Sequence, residues 1–285
     1  MESQYPIILS FDIEDWQQST WDRNLPISEV SYENTSRLLD LLLENQVTAT
    51  MFVLGKFAEK YPNLVKRMDE EGHEVACHGF GHIEIFKQTK NEFKDDVCKS
   101  KSLLEEIIGK PVIGYRAPDF SIVDNTLWAL DILSNLGFKY DSSIFPIKHN
   151  RYGISNWPTY INKVKIDESF SILEFPLSTI SVTSINLPIS GGGYFRLIPK
   201  LLFSFLAKKI LTEKPLVFYG HPYELNPDEF KETKLVIPIS YRLHQSLGRR
   251  FVVKRLKNLF EKFPITNFSR YINDNSEKFP IYSLD

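Results

Sequence analysis

Leu9-Ser10-Phe11-Asp12-Ile13-Glu14-Asp15-Trp16 decides how this chain is read: a short apolar run, starting at Ile7, ends in three carboxylates. In an extended segment, side chains at i and i+2 face the same way, roughly 6 to 7 Å apart. Asp12 and Glu14 can therefore share a site while Ile13 points into a core. Six similar runs follow, at Ala49 to Leu54, Glu74 to Cys77, Val112 to Tyr115, Phe138 to Tyr140, Ile172 to Phe175 and Leu216 to Tyr219. Their length and content mark them as strands, most of them followed by polar residues. Between them, Tyr32 to Glu44 and Glu92 to Ile108 carry apolar residues at helical spacing, and Asn125 to Leu136, ahead of Gly137, is a third helix. This alternation predicts an α/β fold built on a parallel sheet, open or closed into a barrel.

The stretch from Asn150 to Ile189, rich in Ser, Thr, Asn and Ile, breaks the alternation and predicts antiparallel strands or a loop insertion. After Pro227 the pattern is helical and reads as an appended tail. Neither shift is sharp enough for a second domain, so residues 1–285 are taken as one, with a core of about 5–225 and a C-terminal extension of about 226–285.

With 42% hydrophobic residues the chain can fill a sizeable core, and 34 basic against 36 acidic residues leave no field that would attract nucleic acid. Arg249, Arg250, Lys254, Arg255 and Lys257 interleave with Phe251, Val252, Leu256 and Leu259, the pattern of one solvated helix face. Cys77 and Cys98 match neither a disulfide framework nor a cysteine zinc site and are expected reduced. No window reaches the roughly 18 apolar residues of a membrane helix. The N-terminus carries no secretion signal pattern, so the expectation is a cytoplasmic protein, with membrane association through the tail as the alternative.

His78 and His82, in Cys77-His78-Gly79-Phe80-Gly81-His82, are the natural complement to the acidic triplet. Two imidazoles and one carboxylate are a common ligand set for a divalent transition metal in a hydrolase, leaving a position for water. Alone, such a histidine pair belongs more often to an ordinary helix than to a metal site. Together with three carboxylates between Phe11 and Trp16, it suggests a site where a cation relieves repulsion between buried charges. The two glycines between the histidines fit a turn off a strand better than a helix.

Five segments carry a resemblance, in order along the chain: Ser-Phe-Asp-Ile-Glu-Asp at 10–15, His-Gly-Phe-Gly-His at 78–82, Gly-Tyr-Arg-Ala-Pro-Asp-Phe-Ser at 114–121, Tyr-Asp-Ser-Ser-Ile-Phe-Pro at 140–146 and Phe-Tyr-Gly-His-Pro at 218–222. They resemble the NodB-homology polysaccharide deacetylases, over about Ile7 to Glu224. The likeness is closest to the subgroup found with bacterial exopolysaccharide gene clusters, which has a Gly-Gly-Gly-Tyr-Phe-Arg run like residues 191–196 and a similar C-terminal extension. The resemblance implies a distorted (β/α) barrel and a metal-dependent enzyme that removes N-acetyl groups from an amino sugar of a polysaccharide or its lipid-linked precursor. It implies zinc, with cobalt, nickel or manganese as alternatives.

By that resemblance Asp12 is the general base, and His78 and His82 are metal ligands. Glu14 matches the family's metal carboxylate, displaced one position by Ile13, with Asp15 as the rival. Arg116 resembles the arginine that holds the base carboxylate, and His221 the general acid. Asp141 resembles the carboxylate that orients His221, although a turn-forming Asp would look the same. Asp119 stands where many relatives have a small or aromatic residue, which makes it a substrate-binding candidate through local charge or substrate fit. Trp16 and Tyr194 are candidates to stack on sugar rings, and Arg196 to bind a sugar carboxylate or a lipid-linked phosphate. The glycine run fits either close approach of a glycan or a tight turn. Two other functions stay open: hydrolysis of a cyclic or small-molecule amide, and glycan binding without catalysis.

Overall fold

The computed structural model describes residues 4–166, 171–183, 185–275 and 279–284. Its strands are β1 (Ile7–Ile13), β2 (Thr50–Val53), β3 (Glu74–Cys77), β4 (Gly114–Tyr115), β5 (Tyr140–Asp141), β6 (Asn162–Lys165), β7 (Ser171–Glu174), β8 (Thr179–Val182), β9 (Ile185–Pro188), β10 (Leu216–Gly220), β11 (Ile265–Thr266) and β12 (Ile281–Ser283). One sheet runs β10-β1-β2-β3-β4-β5-β7-β6-β12, and β8 and β9 form a separate antiparallel ribbon. From β10 to β7 every pairing is parallel, and only β6 against β7 reverses direction. This is the α/β architecture of a distorted barrel. Among the described residues no ladder joins β7 to β10; instead the Val217 N–H donates to Ser178 Oγ across the seam at 2.8 Å.

Each strand sends alternate residues to opposite faces. Ile7, Leu9, Phe11 and Ile13 of β1, with Met51, Val53, Val75, Cys77, Leu216 and Phe218, pack into the larger core beneath the helices. Ile8, Phe52, Ala76, Tyr140, Val217 and Tyr219 face the other way into a smaller, aromatic interior. Both faces are apolar, which is why the strands read as nearly continuous hydrophobic runs. The helix Glu29–Glu44 is capped by Ser28, and the helix Lys90–Ile108 begins with a Thr89/Glu92 capping box and ends on left-handed Gly109.

The C-terminal segment is not merely appended. Strand β11 pairs with Ile7 and Ile8, and β2 pairs with Ser10 to Ile13, so β11 covers the part of the β1 edge that β2 leaves open. Just beyond, Phe268 is fully buried and stacks on Tyr140 with centroids 5.0 Å apart, with Phe52 and Phe175 around it. The Phe268 N–H donates to Thr50 Oγ1 at 3.1 Å and the Ser269 N–H to Glu74 Oε2 at 2.9 Å, at the first residues of β2 and β3. The tail thus plugs the end of the aromatic interior opposite the strand C-termini. The helical signal hid this, because Ile265 and Thr266 form too short a strand to show periodicity. Phe268→Ala is predicted to cost about 3–5 kcal/mol in a chemical-denaturation measurement, as expected for an emptied aromatic core site. A loss below about 1 kcal/mol would mean the tail is peripheral after all.

Candidate active site and metal centre

Past the aromatic layer, the same inward faces carry polar side chains. Asp12 follows Ser10 and Ile8 on β1, His78 follows Ala76 at the end of β3, Arg116 follows Gly114, and His221 follows Tyr219. These are the strand C-termini, where α/β folds gather their sites. Asp12, His78 and His221 line a cavity of about 230 Å³ together with Glu14, His82 and Asp119, and Arg116 lies behind Asp12.

Glu14, His78 and His82 are buried, and one ligand atom from each lies within 4.8 Å of the others. Glu14 Oε2 sits 3.4 Å from His78 Nε2 and 2.7 Å from His82 Nε2. His78 Nδ1 is 2.8 Å from the carbonyl oxygen of Arg116, which can only accept, so Nδ1 carries a hydrogen and Nε2 is the atom turned to the carboxylate. In the neutral ring Nε2 presents a lone pair to the carboxylate, an arrangement that a cation between the two satisfies, and a backbone carbonyl on the other ring nitrogen is the usual partner of a ligating imidazole. The residues present therefore fit a divalent metal. Burial alone would raise the Glu14 pKa, but His82 and His78 hold it well below the ordinary glutamate range. Asp15 faces elsewhere: its carboxylate accepts from the N–H groups of Gln17, at 3.0 Å, and Ser28, at 2.6 Å. The geometry selects Glu14 over Asp15.

Arg116 is fully buried, and Nη1 donates to Asp12 Oδ1 at 2.7 Å and to Ser10 Oγ at 2.9 Å. Across the cavity, His221 Nε2 lies 3.8 Å from both Asp12 Oδ2 and Glu14 Oε1, and its ring stacks on Tyr223. Burial works against the charged form of His221, but the bond to Glu224 and the charges of Glu14, Glu224 and Asp12 outweigh it and push the pKa up to about 9.

Asp141 is not the carboxylate beside His221. It follows the inward-facing Tyr140, so it points to the other side of the sheet, where it accepts from Ser143 Oγ at 2.6 Å and faces Glu174. Glu224 takes the expected place, with Oε2 3.3 Å from His221 Nδ1. Glu224 lies three residues beyond His221, and the signal for it was the His-Pro-Tyr-Glu run that closes β10.

Arg196 likewise does not line the cavity: Nε is 3.0 Å from Glu224 Oε1 and Nη1 donates to the Gln245 carbonyl at 2.6 Å, so it buttresses the partner of His221. Trp16 is buried against Phe230 and Tyr241 beneath the site, and Tyr194 sits behind Tyr152, so neither ring is offered to a sugar in the cavity. The rings at the cavity are Phe120, Tyr152, Tyr219, Tyr223 and Tyr241. Gly191, at φ +76°, is packed so tightly that a Cβ would meet Tyr219 at 2.2 Å, which favours the tight-turn reading of the glycine run.

Three residues lining the cavity, His82 (φ 57°), Asp119 (φ 54°) and Phe120 (φ 52°), have left-handed backbone that side chains disfavour. Asp119 also pairs with the exposed Arg151.

Residues 5–140 match the family model described as polysaccharide deacetylase, and residues 142–273 match one described as Domain of unknown function (DUF3473). A peptidoglycan-N-acetylglucosamine deacetylase of Bacillus cereus is 36% identical over 35% of this chain, which spans 36% of that relative's length. Model and relative together support the polysaccharide deacetylase family for the N-terminal half. A Mycobacterium smegmatis structure assigned to the polysaccharide deacetylases superposes with a TM-score of 0.68 at 18% identity, over 100% of this chain and 95% of that one. The Puue allantoinase structure superposes with a TM-score of 0.62 at 14% identity, over 98% and 92%. These two likenesses show the fold.

Asp119→Gly and Asp119→Ala both delete the pair with Arg151, but only alanine keeps a Cβ in the left-handed region. Thermal melts should find the glycine variant more stable by about 1 kcal/mol. Equal stability would contradict the strain.

Proposed function

We propose that the chain is a metal-dependent hydrolase that removes N-acetyl groups from an amino sugar of a bacterial polysaccharide or its lipid-linked precursor, with zinc as the ion. The observation that carries this reading is the convergence of Glu14, His78 and His82 with two separately held proton-transfer groups, Asp12 and His221, around one cavity. The Bacillus cereus relative, named for deacetylating peptidoglycan N-acetylglucosamine, supports the substrate class. The exopolysaccharide setting rests on the Gly-Gly-Gly-Tyr-Phe-Arg run at 191–196.

Glu14, His78 and His82 would hold the ion. When bound, it supplies Lewis acidity, polarising a carbonyl and bringing the pKa of water down to about 7. Arg116 fixes Asp12 through Oδ1, which leaves Oδ2 facing the cavity to accept a proton from the attacking water. His221, on the opposite side, keeps a proton on Nε2 because Glu224 stabilises its charged form from Nδ1, and it donates that proton to the departing nitrogen. Acetate and a free amine result. The order of roles follows from position: Asp12 lies between Arg116 and His221, and Glu14 touches both imidazoles.

Acetate release from a panel of N-acetylated oligosaccharides, with allantoin-type cyclic amides as the competing substrates, tests the reading. Asp12→Asn and His221→Ala are each expected to lower kcat by roughly 10² to 10⁴-fold. Glu14→Ala should lose the metal in elemental analysis while Asp15→Ala retains it. Ring-opened product from a cyclic amide without acetate release, or tight glycan binding with no turnover, would overturn the proposal.

A further inference from the structure

The helix Ile239–Ser246 buries none of its residues, and its apolar stripe faces solvent. Ile239 is 76% exposed, Leu243 68% and Leu247 57%, four residues apart each time, and Phe251 continues the exposed run. A second helix, Lys200–Ile210, buries Phe203, Ala207 and Ile210 on one face but turns Leu201, 81% exposed, and Phe205, 66% exposed, to solvent on the other. Scattered apolar side chains are ordinary on a surface, but two helices with solvent-facing apolar stripes are an unpartnered surface. The two stretches are stitched together: Arg196 donates to the carbonyls of Gln245 and Leu247, and Arg255 to those of Arg196 and Ile198.

Charge says what covers this surface. Residues 196–212 carry four basic side chains and no acidic one, and residues 234–260 carry seven basic and no acidic, in a chain whose net charge is −2. Arg196, Arg249 and Arg255 are spent on internal partners and Lys257 faces Glu44, but Lys200, Lys208, Lys209, Arg250 and Lys254 are exposed. Apolar side chains flanked by exposed cations, on helices lying at a surface, suit insertion at the level of anionic headgroups. A soluble protein partner would have to supply the apolar and acidic complement together. Among the described residues no helix is long and apolar enough to cross a membrane.

We propose that the exposed faces of helices Lys200–Ile210 and Ile239–Ser246 dock on an anionic lipid bilayer. The placement has a consequence for the cavity, because Tyr241 and Gln245 of the docking helix line it, on the flank next to the apolar stripe. Docking would hold the cavity beside the headgroups, where the sugar of a lipid-linked precursor sits. That last step rests on the proposed function; the docking itself does not.

Co-sedimentation of the full chain with vesicles of phosphatidylcholine, with and without phosphatidylglycerol, tests the docking independently of turnover. Binding is expected with phosphatidylglycerol, weakening as salt is raised. Leu243→Ser with Phe205→Ser should lower it about tenfold or more. Lys208→Gln and Lys209→Gln should each lower it about fivefold. All four positions are exposed, and unchanged circular-dichroism melts would show that the variants fold. No binding, equal binding to both vesicles, or binding unaffected by the variants would overturn the proposal. So would light scattering that shows a dimer abolished by Leu243→Ser in a protein that ignores vesicles, since a second copy would then cover the face.

Discussion

Arg116 is the residue on which the site's order depends. A guanidinium with no solvent contact is tolerated only if its charge is paired and its donors are largely satisfied, and here four of its five N–H groups have partners and Asp12 meets the charge. Nη1 reaches Asp12 and Ser10, Nε the Ser142 carbonyl at 2.9 Å and Nη2 the Ser142 hydroxyl at 2.9 Å, with the guanidinium carbon 4.0 Å from the Phe52 ring centroid. Its own backbone carbonyl meets His78 Nδ1. One residue therefore positions Asp12 with its side chain and orients His78 with its main chain. Ser142 accepts and donates in turn, its hydroxyl passing to the Phe175 carbonyl at 2.9 Å, so the loop after β5 and the end of β7 serve the same arginine. The outward-facing Asp141 and Glu174 brace that loop from behind: Asp141 holds Ser143, whose hydroxyl takes the Ala117 N–H, and Glu174 accepts the Ile144 N–H.

The C-terminal half matters to the site as much as the half that carries the motifs. It supplies His221 and Glu224, then Arg249, which is buried and donates from Nη1 to the Tyr223 and Asn226 carbonyls and from Nε to the Gln245 carbonyl. That arginine ties the helix Ile239–Ser246 to the turn that presents His221. Phe268 and Tyr271 meanwhile fill the aromatic interior from its other end. Among the described residues the seam is bridged by the Ser178 hydroxyl rather than by a ladder, and such a barrel has reason to need this bracing.

Much of this is readable from residue order, and each departure has its own physical cause. The strands, the helices and the inward pairing of Asp12 with Glu14 follow from periods of 2 and 3.6, and so does the gathering of the motifs at strand ends. The choice between Glu14 and Asp15 did not, because it turns on which backbone N–H groups lie near Asp15, and Ser28 is 13 residues away. Asp141 was misread although the strand period held the answer: Tyr140 points inward, so its neighbour cannot. Arg196, Trp16 and Tyr194 were assigned to substrate from residue type alone, whereas their positions depend on long-range packing with Glu224, Phe230 and Tyr152. The tail's role was invisible because strand β11 is only two residues long.

The central claim is that two imidazoles and one carboxylate, brought from separate strand ends, share a cation. A crystal grown with zinc and measured on both sides of the zinc absorption edge addresses it without reference to any substrate. The account predicts a single strong anomalous peak about 2.0–2.2 Å from a Glu14 carboxylate oxygen and from Nε2 of His78 and His82. A peak on Asp15, or imidazoles turned away from Glu14 with no peak between them, would contradict it.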